Sequence, residues 1–116
     1  MRICVFTPTE QFRNDILDVV RVFEGSGVEA LPCEEEGAAL LRHTEDTRGS
    51  TRRVRVEFLA GGQRFEGSRE GEVSDTPLED KRIHKRLIKQ SVYDVCVSFY
   101  GRRSPWGPRD FRVGPT

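Results

Sequence analysis

The apolar positions of this chain fall into two helical stripes separated by strand-like runs. The best-specified stripe lies between residues 77 and 100, where Ile83, Leu87, Ile88, Val92, Val95, Cys96 and Phe99 recur at helical spacing and share one face. Thr76 stands at the N-cap position, Pro77 at the first helical position and Glu79 three residues past the cap, where its carboxylate reaches the cap's own N–H. Gly101 is the expected left-handed terminator, with Arg102 and Arg103 suited to the negative end of the helix dipole.

A helix with one apolar face needs a surface to lie on, and the first 75 residues must supply it. Arg2 to Phe6 reads as a short buried strand. Thr7-Pro8-Thr9-Glu10 repeats the cap, proline and glutamate signature, and Phe12, Ile16, Val19, Val20 and Phe23 then follow at helical spacing until Gly25-Ser26-Gly27. Val28 to Pro32 suits a second strand, beside the first or at a sheet edge. After the charged turn Glu34-Glu35-Glu36-Gly37, Ala38 to Thr44 is read as a strand and Glu45 to Ser50 as a polar loop.

Thr51 to Leu59 is the clearest strand, with Val54, Val56 and Phe58 alternating with Arg53, Arg55 and Glu57. Ala60-Gly61-Gly62-Gln63 is a hairpin turn. Arg64 to Val73 returns, interrupted by Gly67 and Gly71 and so expected near an edge. The order β-α-β-β-β-β-α predicts an α+β two-layer sandwich, with two helices on one face of a mainly antiparallel sheet. Residues 1–100 form the single expected domain. Residues 101–116, rich in Pro, Arg and Gly, read as a linker or a truncated junction.

Composition narrows the class. Nineteen basic residues balance nineteen acidic ones, so nucleic acid is not the expected partner, although a neutral total leaves room for a local patch. No stretch approaches the roughly 20 apolar residues that span a bilayer, and the N-terminal apolar run is too short for a signal peptide. The expectation is a cytoplasmic protein without a membrane partner.

Cys4, Cys33 and Cys96 are odd in number and widely spaced, unlike a disulfide framework or a zinc site. Cys4 and Cys96 are expected as small buried core residues. Cys33 stands beside glutamates that raise a thiol's pKa.

No catalytic residue, cofactor-binding residue or metal ligand stands out. Gly25-Ser26-Gly27 follows a helix instead of opening one, so it is no phosphate loop. His43 and His84 are far apart, and His84 is read as a solvated residue of the basic helix. Glu34-Glu35-Glu36 is read as a solvated turn in preference to a cation site. Lys81, Arg82, Lys85, Arg86 and Lys89 form a candidate basic face on the long helix, with Tyr93 and Trp106 further along. Basic residues with nearby aromatics can track a phosphate backbone; a solvated face is the competing reading.

Lys85-Arg86-Leu87-Ile88-Lys89-Gln90-Ser91-Val92-Tyr93-Asp94, followed by Gly101 and Ser104-Pro105-Trp106-Gly107, resembles one known junction. It is similar to the end of the N-terminal domain in the HemZ type of oxygen-independent coproporphyrinogen III oxidase (coproporphyrinogen dehydrogenase), a radical S-adenosylmethionine family of haem biosynthesis. There a Lys/Arg-rich helix runs into Pro-Trp-Gly, and a short Gly-Ile/Val-Arg-Pro segment leads into the catalytic barrel. This chain departs at the end, reading Phe111-Arg112-Val113-Gly114-Pro115-Thr116.

The full-length family is an oxidoreductase that uses a [4Fe–4S] cluster, held by Cys-x-x-x-Cys-x-x-Cys, and S-adenosylmethionine. None of Cys4, Cys33 and Cys96 matches that motif. The resemblance therefore implies a non-catalytic accessory or docking domain, a fragment or truncated product, whose partner is a radical S-adenosylmethionine catalytic domain normally in the same chain. No cofactor is expected in this piece. Pro105, Trp106 and Gly107 are the candidate docking elbow. The alternative is a small nucleic-acid-binding module using the basic helix face.

Overall fold

The structure, a computed structural model, describes residues 1–33 and 37–103. The turn at 34–36, the elbow at Pro105, Trp106 and Gly107, and the remaining tail lie outside the described residues. The elements are β1 (Arg2–Phe6), α1 (Arg13–Glu24), β2 (Glu29–Ala30), β3 (Ala39–Arg48), β4 (Thr51–Ala60), β5 (Gln63–Glu72) and α2 (Pro77–Arg103). The five strands form one mixed sheet in the order β2-β1-β3-β4-β5. β1 is parallel to both β2 and β3, whereas the longer β3–β4 and β4–β5 ladders are antiparallel. Both helices cover one face, so the expected two-layer α+β architecture is the one observed.

Alternation places Ile3 and Val5 of β1, Leu41 of β3, and Val54, Val56 and Phe58 of β4 on the helix side, all buried. They meet Phe12, Ile16, Val19 and Val20 from the α1 layer, and Leu87, Ile88, Val92, Val95, Cys96 and Phe99 of α2. The Phe58 and Phe99 rings stack at 4.6 Å between centroids. Gly61 and Gly62 (φ 59° and 77°) make the β4–β5 turn, in the left-handed conformation that only glycine adopts without cost.

The glycines of β5 have another use. A Cβ on Gly71 would stand 3.0 Å from Leu87 Cδ1, and one on Gly67 would stand 3.1 Å from Val95 Cγ1 and 3.4 Å from the Ser91 carbonyl. Their bare backbone lets α2 settle directly onto the edge strand β5.

Four local expectations need correction. First, Glu45 to Arg48 are strand, because β4 supplies partners through the register Glu45↔Val54 to Arg48↔Thr51; only Gly49 and Ser50 turn. Second, neither helix starts with the expected cap. Thr7 and Thr9 lead into a 3₁₀ turn at Glu10–Phe12 before α1, and Thr7 turns to His43 instead. The N–H of Thr76 goes to Ser74 Oγ at 3.2 Å, and the nearby carboxylate with a capping role is Asp80, which accepts the Ser74 N–H at 3.0 Å. Third, α2 runs through Gly101 to Arg103; Gly101 is buried, and the Phe23–Tyr100 and Phe58–Phe99 stacks hold these last turns helical.

The fourth concerns the cysteines. Cys4 is buried as expected, but it is bonded to Cys33, with Cα atoms 5.0 Å apart. Cys4 projects from the sheet face opposite the helices, so the segment after β2 folds back over it. Parallel strands require such a crossover, and this brings together two thiols that sequence distance had separated.

Candidate functional site

Two features of the folded chain carry polar chemistry. The first is a buried network at the N-terminal end of α2. Alternation along β3 points both His43 and Glu45 toward the helix layer. His43 is fully buried, and its Nε2 lies 2.6 Å from Glu45 Oε2. His84 of α2 brings its own Nε2 to the same oxygen at 2.5 Å, and its ring meets the edge of Phe12 at 5.1 Å.

On the far side of the His43 ring, Nδ1 lies 2.8 Å from Thr7 Oγ1. That hydroxyl oxygen also accepts the Thr9 N–H at 3.1 Å and lies 3.2 Å from Thr9 Oγ1. An ionised carboxylate only accepts, so each ring carries a proton on Nε2 and Glu45 accepts from both. Burial raises the pKa of Glu45, but the hydrogen bonds and charges of His43 and His84 outweigh it and bring the carboxyl down to about 2.

Beyond the histidines the polar layer continues. Arg52 of β4 grips Asp80 of α2 through two bonds of 3.2 and 3.1 Å, both side chains being largely buried. Thr7, His43 and Glu45 reproduce the order of hydroxyl, imidazole and carboxylate found in nucleophilic relays. Here the imidazole is sealed in the core, and its carboxylate is shared with a second histidine. The arrangement is a closed pin joining the end of β1, the middle of β3 and the first third of α2. The expectation that His84 is solvated is therefore corrected: it lies at the core's edge, opposite Glu45.

The second feature is the outer face of α2. Lys81, Arg82, Lys85, Arg86 and Lys89 are all exposed, as expected of the basic flank. Arg13, Arg21, Arg42, Arg48, Arg52, Arg53, Arg64 and Arg69 each stand within 4 Å of a carboxylate. On the basic flank only Lys85 has such a neighbour, Asp15 at 3.9 Å; among the described residues, Lys81, Arg82, Arg86 and Lys89 have none. In a chain whose charges cancel overall, four of the described cations without a carboxylate neighbour are grouped on this one face, and exposed Arg55 of β4 is another that lies elsewhere. Beside it lies a groove of about 510 Å³ whose apolar lining comes from Val19 and Val22 of α1 and Tyr93 of α2.

The cysteines do not fit a cubane cluster. Cys4 and Cys33 are bonded to each other, and burial pushes the Cys96 thiol up to about 12. Among the described residues no group of three His, Cys, Asp or Glu side chains is disposed to hold a metal ion, and no helix is long and apolar enough to cross a membrane.

No protein-family model and no curated protein matches the sequence. The fold is similar to that in the crystal structure of protein VC0702 from Vibrio cholerae, with a TM-score of 0.67 over 88% of this chain and 96% of that one. At 9% identity the likeness is one of fold alone.

Proposed function

We propose that this chain is a non-catalytic docking module that seats an acidic surface of a partner protein on the outer face of α2. The observation that carries the proposal is the charge pairing: eight arginines elsewhere have carboxylate partners, and four cations on one helix face have none. Unpaired like charges on a rigid helix repel one another and are relieved by an incoming anion, which raises association rate and fixes orientation. The resemblance of the 82–107 stretch to the HemZ-type N-terminal domain supplies the partner to try first, a radical S-adenosylmethionine catalytic domain of that type. On this reading the module serves porphyrin biosynthesis by position and contributes no cofactor ligand.

The test is titration calorimetry of the chain against such a catalytic domain at rising salt. Expected is binding that weakens as salt screens the face, and that is lost when Lys81, Arg82, Arg86 and Lys89 are reversed to Glu with the circular dichroism unchanged. Loss of binding in Trp106→Ala with the reversals inert would move the interface to the elbow and refute the helix-face reading. Nucleic-acid binding at physiological ionic strength, abolished by the reversals, would replace it with the alternative.

A further inference from the structure

Four large apolar side chains are conspicuously exposed among the described residues: Phe6, Val22, Leu78 and Tyr93. Three of them border the unpaired cations. Val22 (76% exposed) and Tyr93 (51%) line the groove beside Arg86 and Lys89. Leu78 (71%) lines a second groove of about 410 Å³ whose other walls are Lys81, Arg82 and Lys85. Along α2 the positions Leu78, Arg82, Lys85, Lys89 and Tyr93 recur every three or four residues, so they form one stripe: apolar at each end and cationic between. From Leu78 to Tyr93 is about 22 Å at the helical rise.

We infer that the segment seated on this face is an acidic stretch of the partner protein with an apolar anchor at each end, one against Leu78 and the other in the Val22–Tyr93 groove. This rests on the docking reading above and adds what the partner must present. Carboxylates meet Arg82 and Lys89 on the stripe and Lys81 and Arg86 on its flanks, none of which has a carboxylate partner of its own. The anchors cover apolar surface that water now touches, and they set the register that charge alone leaves free to slide. A solvated basic face has no need of leucine and tyrosine at its two ends.

Fluorescence anisotropy with labelled Glu/Asp-rich peptides tests this on the whole chain. Two leucines are placed about seven residues apart for an extended segment, or about fifteen apart for a helical one. Each peptide has a control with both leucines replaced by serine. At least one leucine peptide should bind about tenfold or more tightly than its control, the gain expected from covering one apolar side chain. Leu78→Ser and Tyr93→Ser should each erase the share of that gain that belongs to one anchor, with circular dichroism checking the fold because Tyr93 also packs against Phe23 at 5.2 Å.

Equal binding of leucine and serine peptides, unaffected by Leu78→Ser and Tyr93→Ser but lost on the charge reversals, would overturn the anchored segment and leave the docking face standing. No peptide binding, with the catalytic domain still bound through the cations, would overturn it as well. A single-stranded oligonucleotide bound more tightly than every peptide would remove both readings.

Discussion

Glu45→Ala removes the single acceptor that two imidazole N–H groups share. The two losses differ in size. His43 is fully buried, so its Nε2–H stays unpaired in the variant at a cost of about 1–3 kcal/mol. The His84 side chain is 13% exposed and can turn toward water, which limits its share to about 1 kcal/mol. Together that is about 2–4 kcal/mol, a large part of the 5–15 kcal/mol that holds a typical domain. At 4–8 °C per kcal/mol for a domain this size, the unfolding midpoint should fall by roughly 8–32 °C. Glu45→Gln keeps the shape and one carbonyl acceptor, and should cost less.

The same residue makes stability depend on acid. In the unfolded chain the Glu45 carboxyl titrates near the ordinary glutamate value of 4.5, and in the fold it is held at about 2. Below about pH 4.5 the unfolded chain takes up a proton that the folded chain refuses, so stability is present above that pH and drains away toward pH 2. The full shift would be worth about 3 kcal/mol; discounted for the partial exposure of the site, about 1–2 kcal/mol is expected. Urea unfolding of the wild type and Glu45→Gln between pH 3 and 7 isolates the term, because the other carboxylates are common to both proteins. Parallel pH profiles, or a Glu45→Ala midpoint within 3 °C of wild type at pH 7, would refute the pin.

Other outcomes follow from the packing. Leu87→Ala should cost about 2–5 kcal/mol in urea unfolding, since Leu87 is 5% exposed beneath α2. Gly71→Val should cost about 1–3 kcal/mol by pressing on Leu87, and the penalty should shrink in a Leu87→Ala background, as a double-mutant cycle would show. Reduction of Cys4–Cys33, which spans 29 residues, should cost about 3–4 kcal/mol on loop-closure grounds; a thermal melt with and without reductant reads it. Anaerobic reconstitution with iron and sulfide should yield no stable cluster, and a brown protein that bleaches on Cys→Ser change would contradict this.

Periodicity made the layers legible. Val54, Val56 and Phe58 announce a strand with one wet face, and Ile83 through Phe99 a helix with one dry face, because burial is the force that imposes both patterns. What escaped was set by partners distant in sequence. Glu45 to Arg48 look like a loop alone and become strand once β4 lies beside them. His43-x-Glu45 did carry a signal, since a spacing of two puts both on one face of a strand. His84 adjoins Ile83 and lies four residues before Ile88, which placed it near the apolar stripe. Neither clue shows that the three side chains meet, because only the packing of α2 over β3 brings them together. The capping box of α1 failed for a related reason, the Thr7 hydroxyl being taken by His43, whereas at α2 the Thr76 N–H goes to its neighbour Ser74 and not to Glu79.

The pin and the basic face belong to the same stretch of helix. His84 and Asp80 lie among Leu78, Lys81, Arg82 and Lys85, so the buried side of this segment is held by polar bonds while its outer side carries the unpaired charge. Further along, Leu87 to Phe99 are held by apolar burial instead. The distinction matters because like charges on one helix face favour fraying, and the first turns of a helix are its least cooperative part. Arg52–Asp80 and the Glu45 pair of imidazoles fix those turns against the sheet. The stretch of helix that carries the cations is thus held in place, and on the docking proposal binding loses less to ordering that backbone. Loosening the pin with Glu45→Ala should therefore weaken partner binding even though Glu45 points away from the partner. The charge reversals should weaken binding with the thermal midpoint nearly unchanged. Equal affinity of Glu45→Ala and wild type, at a temperature where both are folded, would separate the two features and leave the pin a purely structural device.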